Sequence, residues 1–349
     1  MPTARTPHPD PGQPDPTRAG VPGVVVVTGG TSGVGRATAR AFADRGTPVA
    51  VLARGQDALD ATGAELRERG VPFLAISVDM TDRVAVEAAT DRIERELGPI
   101  GTWVNSAMVT VLGTFTDVEA HDFDRVVDVV FRGTANGTRA ALRVMRPRES
   151  GRIVQVGSAL AYRGIPLQAA YCSAKHAVQG LCDSLRSELL HEGSGITVSE
   201  VNLPAVNTPQ FDMCRNLLDG EPQPVPPIFQ PELAAEAILQ AARTGERQLN
   251  VTFVSTRTVF ADRVVPGALD HLLADTGFES QQSSRPTVYS GDNLYEPLPG
   301  DHGCHGSFDD RAKDVSPQEW LRGTLLGRTA QAAGGLGRRL GGKVLKPLV

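Results

Sequence analysis

Cysteine is scarce in this chain. Cys172, Cys182, Cys214 and Cys304 are the only four in 349 residues, too few and too irregularly spaced for a disulfide scaffold or a paired-cysteine zinc site. Reduced thiols and a cytoplasmic location are therefore expected. Excess positive charge is missing as well: 35 Lys and Arg stand against 40 Asp and Glu, a formal net charge of −5, which argues against a general nucleic-acid binder. No run approaches the ~18 apolar residues that cross a bilayer. Residues 1–22 have no apolar core and are full of proline, so they read as a disordered leader and not as a signal peptide. Lysine is rarer still than its charge suggests. Arginine carries nearly all the basic charge, and Lys175, Lys313, Lys343 and Lys346 are the only lysines.

What remains is regular. From Val24, short β-branched runs alternate with helical stretches: Val24–Thr28, Pro48–Ala53 and Pro72–Val78, each followed by a helix, ending near Arg45, Arg69 and Leu97. Further strands are predicted at Trp103–Asn105, Arg152–Gly157, Ile196–Asn202 and Gln248–Phe253. Strands separated by helices imply parallel crossovers, hence an α/β doubly wound sheet of Rossmann type with helices on both faces. The main domain is expected over residues 23–254, followed by a C-terminal extension at 255–320 packed on it and a basic, glycine-rich tail at 321–349. Within 256–274 one helix is predicted, with Val259, Phe260, Val264, Leu269 and Leu273 on its apolar side and Pro266 and Gly267 interrupting it.

The first strand runs into Thr28-Gly-Gly-Thr-Ser-Gly-Val-Gly35, and a helix follows at once. Gly29, Gly33 and Gly35, with Thr31, Ser32 and Val34 between them, form a turn tight enough for the backbone to approach a pyrophosphate. The phosphate charge then sits at a helix N-terminus. The second strand ends in Ala53-Arg54 with no acid before Asp57. An acid there would hold a ribose 2′-hydroxyl, whereas an arginine accommodates a 2′-phosphate. Arg54, helped by Arg36, thus points to NADP(H).

Farther along, Tyr171-Cys-Ser-Ala-Lys175 places a tyrosine and a lysine on one helix face. Free tyrosine, with a pKa near 10, is a poor acid–base group at neutral pH, and an adjacent ammonium favours its phenolate. Ser158, closing a central strand, is positioned to hydrogen-bond a substrate oxygen.

Together these residues resemble the short-chain dehydrogenase/reductase family, over about residues 23–254. The loop at 28–35 resembles its cofactor motif, and Ser158, Tyr171 and Lys175 follow in the family's order. The resemblance implies that Asp79, with Met80 beside it, contacts the adenine, and that Asn105, Ser106 and Ala107 form the turn after the fourth strand. It also implies that Pro204, Val206 and Thr208 cover the nicotinamide and that Lys175 grips the nicotinamide ribose. A homo-oligomer built through the Tyr171 helix and its predecessor is implied too. The extension, with Asn293-Leu-Tyr-Glu-Pro and Gly300-Asp-His-Gly-Cys-His, is similar to that of a bacterial subgroup of longer members.

The chain departs from the family pattern in three places. Val130 stands where an asparagine usually anchors a relay water, and a valine side chain cannot bind water; Asn136 or solvent would have to carry the proton. Ser106 and Met108 alter the turn after the fourth strand, and Ala205 replaces a glycine. Leu160, Tyr162, Ile165, Leu167 and Gln168 are expected to line the substrate side, under a cap containing Phe211, Met213 and Leu217. His302, Cys304 and His305 fit no structural zinc spacing, so no metal is expected, and His176 and His191 read as structural. The expected activity is NADP(H)-dependent interconversion of a ketone or aldehyde and an alcohol. The alternative is a catalytically weak NADPH sensor, for which Val130 would be the mark. Peripheral membrane contact by the tail is a minor alternative, weakened by its glycines.

Overall fold

The computed structural model describes residues 20–287 and 291–315. Seven strands, β1 (Val24–Thr28), β2 (Val49–Ala53), β3 (Phe73–Ser77), β4 (Ile100–Asn105), β5 (Ser150–Ser158), β6 (Gly195–Leu203) and β7 (Gln248–Asn250), form one sheet. Every pairing in it is parallel, in the order β7-β6-β5-β4-β1-β2-β3. The chain reverses its winding between β1 and β4. In open α/β sheets that reversal opens a crevice at the carboxyl ends of the strands.

Alternation along the strands divides two apolar layers. Val25, Val27, Val49 and Val51 face one way, with Phe42 of α1 (Gly33–Ala43) and Leu233 and Ile238 of α7 (Pro231–Thr244). Val26, Leu52, Trp103 and Ile153 face the other way, with Ile93 of α3 (Arg83–Glu96), Met145 of α5 (Gly133–Met145) and Val178 of α6 (Ala169–His191). Each such fully buried side chain contributes about 1.5–3 kcal/mol. The two remaining long helices of this part are α2 (Gln56–Glu68) and α4 (Ala120–Val127), the latter continuing into a π-helical turn, Asp128–Arg132, and a single helical turn forms at Gln210–Met213.

The last strand is shorter than the sequence suggests. It ends at Asn250, because the Thr252 side chain accepts a hydrogen bond from the Ser255 backbone N–H and caps α8 (Phe253–Val264). The helix expected at 256–274 is two helices, α8 and α9 (Pro266–Thr276), divided at the proline. Its expected apolar side is also divided: Val259 is buried, whereas Phe260 and Val264 are 67% and 59% exposed.

Beyond α9 the chain returns to the main domain through two small sheets. Gln282–Pro286 pairs antiparallel with Gly220–Pro222, and Ala312–Lys313 pairs with Ile228–Phe229. Between them, residues 291–311 run back along the carboxyl edge of the sheet. Nearly all of the leader, residues 1–19, and the tail at 321–349 lie outside the described residues.

Candidate active site

The glycine loop has the geometry its spacing implies. Gly29 and Gly33 take φ of +64° and +49°, a region that side-chain-bearing residues rarely occupy. A Cβ on Gly35 would lie 2.1 Å from the Gly29 carbonyl oxygen. Ser32, the N-cap of α1, makes no side-chain cap hydrogen bond, and the first turn of α1 holds no acid. That end of the helix suits an anion, as a bound dinucleotide requires. Thr28 works indirectly: its Oγ1 accepts hydrogen bonds from the Ser106 and Ala107 backbone N–H groups at 3.0 and 3.2 Å, tying the ends of β1 and β4 together.

Ser158, Tyr171 and Lys175 meet on the wall of one cavity of about 940 Å³, which also takes in Gly29, Thr31 to Gly35, Asp79 with Met80, and Ser106 with Ala107. Pro204, Val206 and Thr208 line it as well. Ser158 is the last residue of β5, and its Oγ accepts from the Leu160 backbone N–H at 3.1 Å. Burial raises the Tyr171 phenol well above its ordinary pKa, opposed by a hydrogen bond with Ser158. Burial thus works against the phenolate, opposite in direction to the bias that an adjacent ammonium gives. Burial likewise pushes the Lys175 ammonium down to about 8, with Glu200 and Cys182 opposing. The Lys175 Nζ donates to the Val156 carbonyl at 2.6 Å and lies 5.5 Å from the centre of the Tyr171 ring.

Four expected cavity residues, Thr28, Asn105, Tyr162 and Leu167, do not line the cavity, and neither does Leu217 of the expected cap. The Asn105 side chain is buried: it accepts from Trp103 Nε1 at 2.8 Å and donates to Thr138 and Gln155 at 3.1 and 3.0 Å. Thr28 serves the backbone links already described. Tyr162 turns away from the substrate space, because its hydroxyl finds a partner in the sheet. It donates to Glu200 Oε1 at 3.4 Å and accepts from Asn202 Nδ2 at 3.5 Å. Glu200 is 1% exposed, and burial raises its pKa.

The two arginines are also engaged. Arg54 lines the cavity, and its guanidinium donates to the carbonyls of Asn293, Leu294 and Tyr295 in the extension. Arg36 is 1% exposed and is shared between Glu65 and Asp301, so it holds structure together and is not free to help with a phosphate. Asp79 is fixed on both oxygens, by Arg125 at 2.6 Å and by the backbone N–H and hydroxyl of Thr81 at 2.9 and 2.7 Å. Burial would raise its pKa; those hydrogen bonds hold it below the ordinary value.

Val130 is fully buried in the π-helical turn and belongs to the apolar cluster of Ala170, Ala174 and Leu294 against which Tyr171 rests. Asn136, offered as a substitute for the relay asparagine, does not line the cavity, and its Nδ2 donates to the carbonyls of Met80 and Thr81.

On the substrate side Leu160, Ile165, Gln168, Phe211 and Met213 line the cavity as expected. The opposite wall was not foreseen: Val254, Ala261, Leu269 and Leu273 of the α8–α9 hairpin make it apolar. Arg163 ties that hairpin to the loop after Ser158 through Asp262 and Asp270. The histidine–cysteine loop disperses. His305 pairs with Glu232, Asp309 accepts from Asn207 and Gln230, and Cys304 is buried beside Ala37, Ala41 and Ala235. His176 hydrogen-bonds the Cys172 carbonyl within its own helix. Sequence reasoning also passed over Arg125, Glu200 and Gln210, and it gave Asn293 and His302 no place on the cavity. Their roles depend on partners distant in the chain, and no local spacing announces them.

Comparison with known proteins agrees with this fold. The family model described as short chain dehydrogenase matches residues 23–216. An uncharacterized oxidoreductase of Bacillus subtilis, YxnA, is 32% identical over 266 residues, covering 76% of this chain and 75% of that protein. The probable oxidoreductase EphD of Mycobacterium tuberculosis is 33% identical over 260 residues, 70% of this chain but 44% of its own length. The 3-ketodihydrosphingosine reductase of Bos taurus is 32% identical over 202 residues, 56% of this chain and 60% of that protein. The glycine loop, the seven-stranded parallel sheet and these matches lead to one conclusion: the chain belongs to the short-chain dehydrogenase family of oxidoreductases, which use a nicotinamide cofactor.

Proposed function

We propose that the chain is an NADP(H)-dependent oxidoreductase interconverting a ketone or aldehyde and an alcohol, with Ser158, Tyr171 and Lys175 as its catalytic residues. The observation that carries the reading is the meeting of these three side chains and the glycine loop on one cavity wall. A bound nicotinamide supplies or accepts the hydride at the substrate carbon. Tyr171, held protonated by burial, gives its proton to the substrate oxygen in the reductive direction. Ser158 hydrogen-bonds and orients that oxygen. Lys175, anchored on the Val156 carbonyl, brings positive charge to the phenolate left behind. The absence of an acid at the end of β2, with Arg54 in the cavity wall, favours NADP(H) over NAD(H).

The apolar arm under α8 and α9 favours a bulky or long apolar carbonyl compound. The bovine relative, named for reducing a ketone of that kind, is consistent with this. The rival reading, a cofactor sensor with little turnover, rests on Val130, which leaves Tyr171 an apolar neighbour where a relay water would stand.

The test follows NADPH and NADH consumption over a panel of long-chain and bulky ketones and aldehydes. Tyr171→Phe should lower turnover by about 10²–10⁴-fold while leaving NADPH binding intact. Tight NADPH binding with no turnover that depends on Tyr171 would favour the sensor.

A further inference from the structure

Residues 293–303 cross the mouth of the cleft in which the proposed function puts the dinucleotide. At the β2 end Arg54 holds the carbonyls of Asn293, Leu294 and Tyr295, and Arg125 Nε donates to Leu294 O at 3.0 Å. Farther on, the Gly300 backbone N–H donates to Asp57 at 2.8 Å, and Asp301 pairs with the buried Arg36. At the α1 end the Gly33 backbone N–H donates to Gly303 O at 3.1 Å. The segment therefore spans from the adenosine end of the cleft to the phosphate end, fastened at each.

Three side chains along this path are incompletely satisfied. Asn293, His302 and, facing them from the segment after Thr208, Gln210 all line the cavity. Asn293 Oδ1, His302 Nε2 and Gln210 Nε2 are each buried without a hydrogen-bond partner among the described residues. A buried polar atom left unpaired is costly, and most such atoms in folded proteins have a partner. Three of them on one cavity, two at its phosphate end and one at its adenosine end, match a ligand that carries acceptor oxygens at one end and donors at the other. A diphosphate linked to adenosine is such a ligand.

We infer that residues 293–303 are a retaining strap for the dinucleotide. In it His302 and Gln210 donate to the diphosphate, Asn293 accepts from the adenosine, and release requires the strap to lift. The inference rests on the proposed cofactor use and goes beyond it, since it assigns three binding residues outside the glycine loop and a slow exchange step.

The experiment measures NADPH association and dissociation by stopped-flow fluorescence on the full chain. It compares wild type with His302→Ala, His302→Gln, Gln210→Ala and Asn293→Ala, each checked for native circular dichroism. Loss of one hydrogen bond to a charged group should speed dissociation about tenfold in His302→Ala and Gln210→Ala, and less in Asn293→Ala. His302→Gln, which keeps a donor at that reach, should restore slow release. Should any variant fail to fold, Asp301→Asn loosens the strap from outside the cavity and should also speed release. Unchanged dissociation in the folded variants, with wild type binding NADPH normally, overturns the strap and leaves the proposed function standing. Failure of wild type to bind either NADPH or NADH overturns both.

Discussion

The two walls of the cofactor cleft are held by different forces. The inner wall is the carboxyl edge of β1 with the glycine loop, and behind it Val25, Val27, Val49 and Val51 are wholly buried. Its shape comes from apolar burial and from backbone that only glycine can follow. The outer wall, residues 293–303, has one such apolar anchor, Leu294, wholly buried near its start. It hangs on Arg36, Arg54, Arg125 and Asp57, long side chains reaching backbone or carboxylates some two hundred residues distant in sequence. The inner wall should therefore fail only by steric damage, whereas the outer wall should respond to charge and acidity.

The largest effect should come from the inner wall. Gly35→Val sets a Cβ 2.1 Å from the Gly29 carbonyl oxygen, backbone against backbone, with no soft side chain to yield. A loss of about 3 kcal/mol or more is expected, together with loss of NADPH binding, read by urea unfolding and by titration. A stable Gly35→Val protein that binds NADPH would remove the contrast between the walls.

Arg36→Met should cost less, about 1–2 kcal/mol, because its partners Glu65 and Asp301 are partly exposed and Glu65 keeps Arg40. It should nevertheless free the strap, so thermal unfolding should shift modestly while proteolysis near Asp301 accelerates. Equal protease sensitivity in wild type and variant would show that the strap does not depend on this arginine.

The smallest effect is one of pH. Burial would raise the Glu65 carboxyl, but hydrogen bonds from Arg40 and Arg36 outweigh it and hold it at about 2, against 4.5 unperturbed. A depressed carboxylate pKa stabilises the fold above the unfolded value, and that stability is lost as pH falls from 4.5 toward 2. Asp301 is displaced in the same direction. The melting temperature of wild type should therefore fall more steeply over that window than that of Glu65→Gln. Parallel curves would assign the acid sensitivity to other groups.

The inner wall was legible in the sequence and the outer wall was not. Glycines at 29, 33 and 35, the strand before them and the Tyr171–Lys175 spacing are local signals, and the structure brings them to one cavity. The use of Arg54 on carbonyls of the strap could not be foreseen, because backbone acceptors carry no sequence signature. The same holds for Tyr162, whose direction is decided by the buried Glu200 on another strand. The end of β7 was readable in principle: Thr252 is a capping residue three positions before Ser255, and the apolar Val251 and Phe253 on either side of it concealed the signal.

The widened turn at Asp128–Arg132 has a consequence for how the chain tolerates length changes. A π turn holds one residue more than the α-helix around it, in effect a single-residue insertion absorbed without breaking the helix. Here the Val130 carbonyl takes the Thr134 hydroxyl at 2.7 Å, which helps to satisfy the disturbed backbone. Deleting one of these five residues would restore a continuous α-helix and turn α4 by about 100° relative to α5. Val126, Arg125 and Asp122 would leave their places together, and with them the clamp on Asp79 and the anchor for Arg215. A one-residue deletion here should thus be far more damaging than the same deletion in a surface loop, and a relative lacking that residue would need the cavity wall around Asp79 built differently.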